Sequence, residues 1–169
     1  MSFNCFTLDC PGLARTLITQ VQIGLPFDPA TSKEPSLSKT FIAIWDTGAT
    51  GSVIMQKVID ELGLKDSGMT TAIGIEGEHP TNTYLVSIAL PNRIAFPSIR
   101  VTSGKVLHAD VLIGMDIISN GDFSVSNYGG KTCFSFRIPS IERIDLGIQL
   151  IKAVDPVSSK PPATITSTP

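Results

Sequence analysis

Asp46, Thr47, Gly48, Ala49 and Thr50 interrupt an apolar run in the stretch FIAIWDTGATGSVI, residues 41 to 54. The acid follows Ile42, Ile44 and Trp45. A run of this kind marks a strand entering a core, and a carboxylate at its end is costly unless hydrogen bonds or function compensate. So placed, it could serve as a general acid or base for a group within hydrogen-bond reach. A plain turn is the competing reading, because Asp and Gly are common turn residues. The apolar neighbours weigh against it, since turn acids ordinarily sit among polar residues.

The remaining chemistry-bearing residues are sparse. His79 and His108 lie far apart, and Cys5, Cys10 and Cys133 are odd in number and lack metal-ligand spacing, so neither a zinc site nor a disulfide framework is expected, nor any cofactor. Glu76 and His79 read as solvated turn residues, and His108 as a surface histidine. Asp110, Asp116 and Asp122 read as turn or cap residues, because none sits in a loop like that of Asp46.

The elements that must position Asp46 follow from periodicity. Residues 14 to 25 and 40 to 46 read as strands joined by a proline-punctuated loop, residues 26 to 39. After Ser52, the spacing of Ile54, Val58, Ile59 and Leu62 predicts a short helix that Gly63 stops. Residues 69 to 90 predict a hairpin tipped by Gly74 and Gly77, and FPSIRVTSG adds a strand. The run ADVLIGMDIIS predicts a buried strand, a turn at Gly114 and a brief helix. Residues 122 to 138 predict a second hairpin with Phe134, Phe136 and Ile138 on one face. Ile141 to Val154 has helical spacing, and residues 156 to 169, rich in Pro, Ser and Thr, are expected to be disordered. The expected organisation is one mostly β domain over 1–139, an extension over 140–155 and a tail over 156–169.

The 169 residues suffice for one core, with 42% hydrophobic and 17% charged residues. Thirteen basic against fifteen acidic side chains give a net charge of -2, which argues against nucleic-acid or anionic-membrane partners. The N-terminus lacks the pattern of a secretory signal and no run has the length of a membrane span, so a cytoplasmic protein is expected.

Taken together, WDTGATGSVI, the Gly74/Gly77 hairpin and VLIGMDII arrive in an order that resembles the retropepsin-like (retroviral-type) aspartic peptidases, in their cellular and retrotransposon-like branch. The resemblance spans about residues 12 to 138 and implies a closed, barrel-like acid protease fold with two short helices, active as a symmetric homodimer on peptide or protein substrates. It assigns Asp46, Thr47 and Gly48 to catalysis, with Thr47 bonding across the dimer axis. Ala49 and Thr50 would line the cleft floor, and Gly74, Ile75, Glu76 and Gly77 would form a flap over the substrate. Gly114 would pass behind the active loop, and Ile113 would form a pocket wall or simply core. Retroviral members carry an acid where Thr50 stands and an arginine where Met115 stands, and this chain lacks that ion pair. The chemistry needs two carboxylates about 3 Å apart that share one proton. With a single Asp-Thr-Gly, the second acid must come from a second copy, which a two-fold axis supplies. Two other readings stay open: a non-catalytic peptide-binding dimer on the same fold, and a phosphate loop, since Asp-x-Gly-x-Thr also resembles the first phosphate motif of the sugar-kinase, actin and chaperone ATPase superfamily.

Overall fold

The computed structural model describes residues 4–74, 77–105 and 107–147. Among the described residues it is mostly β, with two short α-helices as complete elements. Alternation builds the first strands: in β2 (Leu17–Gly24), Thr19, Val21 and Ile23 are buried while Ile18, Gln20 and Gln22 face out. In β3 (Ser38–Trp45), Phe41, Ala43 and Trp45 are buried and Ile42 and Ile44 lie on the other side. A period of two places the apolar set on one face, and that face becomes the core.

The chain then runs through β4 (Val53–Ile54), α1 (Gln56–Leu62), β5 (Gly68–Gly74), β6 (Gly77–Leu90), β7 (Ile94–Ser103), β8 (Val111–Ile113), α2 (Met115–Ile118), β9 (Asp122–Ser126) and β10 (Cys133–Ile138), with β1 at Asn4–Asp9 before them. The large sheet has the order β2-β3-β8-β4-β7-β6-β5, and β2 also pairs with β6, Ile23 opposite Ile88. That second pairing closes six strands into a barrel, and β5 extends from it as the outer arm of a hairpin. Ile23, Ile54, Val86, Ile88, Val111 and Ile113 fill its interior together with Val58 and Ile117 from the helices.

Val53 and Ile54 are extended rather than helical, because Val53 is clipped between Thr102 of β7 and Leu112 of β8. The helix therefore begins only at Gln56. It stops as its sequence predicts: Gly63 takes the left-handed conformation (φ 59, ψ 39) and Leu64 N–H donates to Ile59 O at 3.0 Å.

A second sheet has the order β1-β10-β9. Its first strand is not anticipated by the sequence pattern. Register aligns Phe6, Phe136 and Phe123 in one row and Leu8, Phe134 and Val125 in the next. These rows face Trp45 of the barrel: Trp45 stacks on Phe123 at 5.5 Å between centroids and meets Phe6, Phe134 and Phe136 within 6.1 Å. Aromatic pairs of this geometry contribute about 0.5–1.5 kcal/mol each beyond area burial. The indole N–H is satisfied inside the cluster by Thr19 Oγ1 at 3.0 Å.

Residues 141–145 are irregular where helical spacing was expected, and helical conformation begins at Leu146 and Gly147, the last described residues. The cause is local: Ser140 Oγ and Ile141 N–H both donate to the Asp122 carboxylate, which holds the chain off a helical path. The rest of the extension and the tail lie outside the described residues. Among the described residues, no helix is long and apolar enough to cross a membrane.

Candidate active site

Asp46 sits where β3 ends, directly after the buried Trp45. Its amide donates to Ile113 O at 3.0 Å, so the last peptide of β3 is still tied to β8. The carboxylate is half-buried and accepts the N–H of Gly48 at 2.8 Å, while Ala49 N–H returns to Asp46 O. This tight loop leaves Thr47, Gly48 and Thr50 exposed and Ala49 half-buried.

The loop is laced to the β8–α2 turn. Met115 N–H donates to Ala49 O at 2.8 Å and Asp116 N–H to Thr50 O at 3.1 Å. Ser52, which is 1% exposed, bridges the two segments: its N–H and Oγ both donate to the Asp116 carboxylate (2.9 and 2.8 Å), and its Oγ accepts Gly114 N–H at 3.1 Å. The sequence gives no hint of this bridge, because its partners stand more than sixty positions apart. Gly114 fits the contact by lacking a side chain. A Cβ there would lie 2.6 Å from Gly51 C and O and 3.0 Å from Ala49 O.

The other acids near this end of the barrel are spent on the scaffold. Asp110 accepts Ile42 N–H at 3.2 Å and pairs with Lys57 at 2.9 Å, which raises the Lys57 pKa. Asp122 accepts hydrogen bonds from Ser140, Ile141 N–H and Arg137, which pull its pKa down from 3.8 to about 2. Asp116 serves Ser52. Each therefore does more than cap a turn, and Asp116 anchors the segment that follows the Asp46 loop. The Asp46 carboxylate meets only its own loop among the described residues.

Ile113, for which a pocket wall and plain core were both open, is fully buried in the core. Alternation along β8 turns its neighbour outward, so the half-buried Leu112 lies beside Ile44 of β3, with Ile18 and Val53 on either side. These four residues make an apolar strip on the outer face of the barrel, beginning just before Asp46. Gly74 pairs with Gly77 at the far end of the β5–β6 hairpin, and the exposed Met69 and Ile73 lie on its β5 arm. Ile75 and Glu76 lie outside the described residues. Among those described, no group of three or more His, Cys, Asp or Glu is placed to hold a metal ion.

No protein-family model matches the chain, and no curated protein matches it. Among solved structures it is similar to a retropepsin-like aspartic protease from Rickettsia conorii, with 14% identity, 81% of this chain and 96% of that one covered, and a TM-score of 0.49. It is similar also to the EIAV protease in complex with an inhibitor (21% identity, 63% and 88% covered, TM-score 0.47). A third similar structure is the Simian Foamy Virus (mac) protease (14% identity, 61% and 92% covered, TM-score 0.41).

Proposed function

We propose that the chain is an aspartic-type endopeptidase in which Asp46 and its symmetry mate in a homodimer activate one water molecule. One carboxylate takes the proton of the water as it attacks the peptide carbonyl, and the other, protonated, hydrogen-bonds the carbonyl oxygen and serves the departing amine. The observation that carries this reading is the contrast among the acids: Asp110, Asp116 and Asp122 are committed to the scaffold, while among the described residues the Asp46 carboxylate accepts only Gly48 N–H, from its own loop. A group that must change protonation needs such a place, fixed in position but not neutralised by a cation.

Thr47, Gly48, Ala49 and Thr50 flank the water and substrate. The β5–β6 hairpin, through Gly74 to Gly77, closes over an extended peptide by adding backbone hydrogen bonds. Apolar substrate side chains next to the cleaved bond suit the strip of Ile44 and Leu112. The phosphate-loop reading is disfavoured because the amides of Gly48, Ala49 and Ser52 are already engaged by the chain's own oxygens. A phosphate cradle needs such amides pointing at the ligand.

The test compares the parent with Asp46→Asn on a mixed peptide library read by mass spectrometry, with circular dichroism to verify the fold. Cleavage by the parent and its loss by orders of magnitude in a folded Asp46→Asn is the expected result. Equal cleavage by both would assign the chemistry to another acid, and peptide binding without cleavage by either would leave a binding module.

A further inference from the structure

The proline-punctuated loop between β2 and β3 lies on the outer face of the barrel and is fastened at both ends. Leu25 N–H donates to Leu37 O at 3.0 Å, and Phe27 N–H donates to Pro97 O of β7 at 3.1 Å. Between them Asp28 closes a turn: its O accepts Thr31 and Ser32 N–H at 3.0 and 2.9 Å, and its carboxylate accepts Ala30 N–H at 2.9 Å. Gly24 lets the loop settle on the sheet, since a Cβ there would lie 2.6 Å from Leu37 O, 2.8 Å from Pro35 Cγ and 2.9 Å from Ser87 Oγ.

Beneath this loop a half-enclosed cavity of about 120 Å³ remains against β6 and β7. Phe27 and Pro35 from the loop and Phe96 from β7, all half-buried, supply apolar walls. The size is near that of cavities of ~150 Å³ that take up benzene, so it holds one ring or one branched aliphatic group.

Three polar side chains on the lining are left without partners in the fold. Ser87 of β6 is 5% exposed, and its hydroxyl bonds no other group among the described residues. No polar side-chain atom that is sealed off lacks a partner among those residues, so the Ser87 hydroxyl opens into the cavity. Such a hydroxyl, in an otherwise buried residue, calls for something to bond. Lys33 and Glu34 line the exposed rim, adjacent and opposite in charge, and neither forms an ion pair among the described residues.

The geometry points to a binding site for a free α-amino acid with an apolar side chain. That side chain sits among Phe27, Pro35 and Phe96. The α-carboxylate faces Lys33 and accepts from the Ser87 hydroxyl, and the α-ammonium faces Glu34. Each end of the zwitterion meets a counter-charge, whereas a plain carboxylate would be set against Glu34 and a plain amine against Lys33. The fastened loop makes the cavity pre-formed, as small-molecule sites usually are. The cavity shares no residue with the Asp46 loop, so the inference stands or falls apart from the peptidase reading.

Titration of the full chain with L-leucine and L-phenylalanine, read by calorimetry and by proton–nitrogen correlation spectra, tests it. N-acetyl-L-leucine lacks the ammonium, L-leucinamide the carboxylate and glycine the side chain. One or both amino acids are expected to bind saturably and to shift the amides of Phe27, Lys33 and Ser87. Each analogue should bind about tenfold more weakly or worse, the scale for losing one contact of this kind. Ser87→Ala removes a hydroxyl that the fold does not use, so its melting temperature should match the parent's while affinity falls about fivefold. Lys33→Gln and Glu34→Gln should each weaken binding about tenfold. No saturable binding at millimolar concentration, which would leave the cavity to water, overturns the inference. So does binding of the analogues as tight as that of the amino acids, or variants that bind like the parent.

Discussion

Replacing Gly114 by alanine isolates the contact on which the active loop rests. Gly114 has φ -99 and ψ -172, an extended conformation open to any residue, so the substitution brings no backbone strain of its own. What it brings is a methyl group 2.6 Å from Gly51 C and O, against about 3.4 Å for ordinary contact. The loop must retreat by roughly 0.8 Å, and its neighbours here are backbone, which yields less readily than the end of a side chain. Overpacking of this kind costs about 1–3 kcal/mol. Loosening the bonds from Met115 to Ala49 or from Gly114 to Ser52 adds about 1 kcal/mol. The sum, about 2–4 kcal/mol, corresponds in a chain of this size to a fall in Tm of roughly 4–16 °C. Because the displaced loop carries Asp46, kcat should fall about a hundredfold, the scale for a misplacement near 1 Å. Gly51→Ala is the matched control: it alters the other side of the same contact, yet its Cβ would meet nothing within 4 Å. Differential scanning calorimetry and peptide cleavage on the two variants decide the matter. A Gly114→Ala chain melting within about 1 °C of the parent and cleaving at the same rate would refute the argument.

Two further outcomes follow from the hydrogen bonds. Ser52→Ala leaves the buried Gly114 N–H without its acceptor and removes one of the three donors to the Asp116 carboxylate, so urea unfolding should show a loss of about 1–3 kcal/mol together with reduced cleavage. Asp122 has a folded pKa near 2 against 3.8 ordinarily, so its contribution to stability is fully present above about pH 4 and is lost as pH falls from there through about 2. Asp122→Asn should flatten that acid limb of the stability curve, measured by urea unfolding from pH 2 to 6, and an unchanged slope would contradict the assignment.

The sequence by itself determined most elements and the identity of the candidate catalytic acid. Alternation in β2 and β3, the helical spacing of Val58, Ile59 and Leu62, and the glycine stop at Gly63 are local properties, set by backbone sterics and by which side chains repeat on one face. Asp46 stood out because a carboxylate after an apolar run is costly wherever the run goes. Tertiary structure decided what depends on partners distant along the chain. Alternation alone states that Leu112 and Ile113 face opposite ways, but only the pairing of β8 between β3 and β4 selects which of them enters the core. Asp116 became a loop anchor rather than a cap because Ser52 was brought to it. β1 exists as a strand because β10 offers it a ladder, and its outer side is met by the turn carrying Asn92. Hydrogen bonds and close packing act over a few ångströms, so residues separated by scores of positions acquire these roles only when the fold sets them side by side.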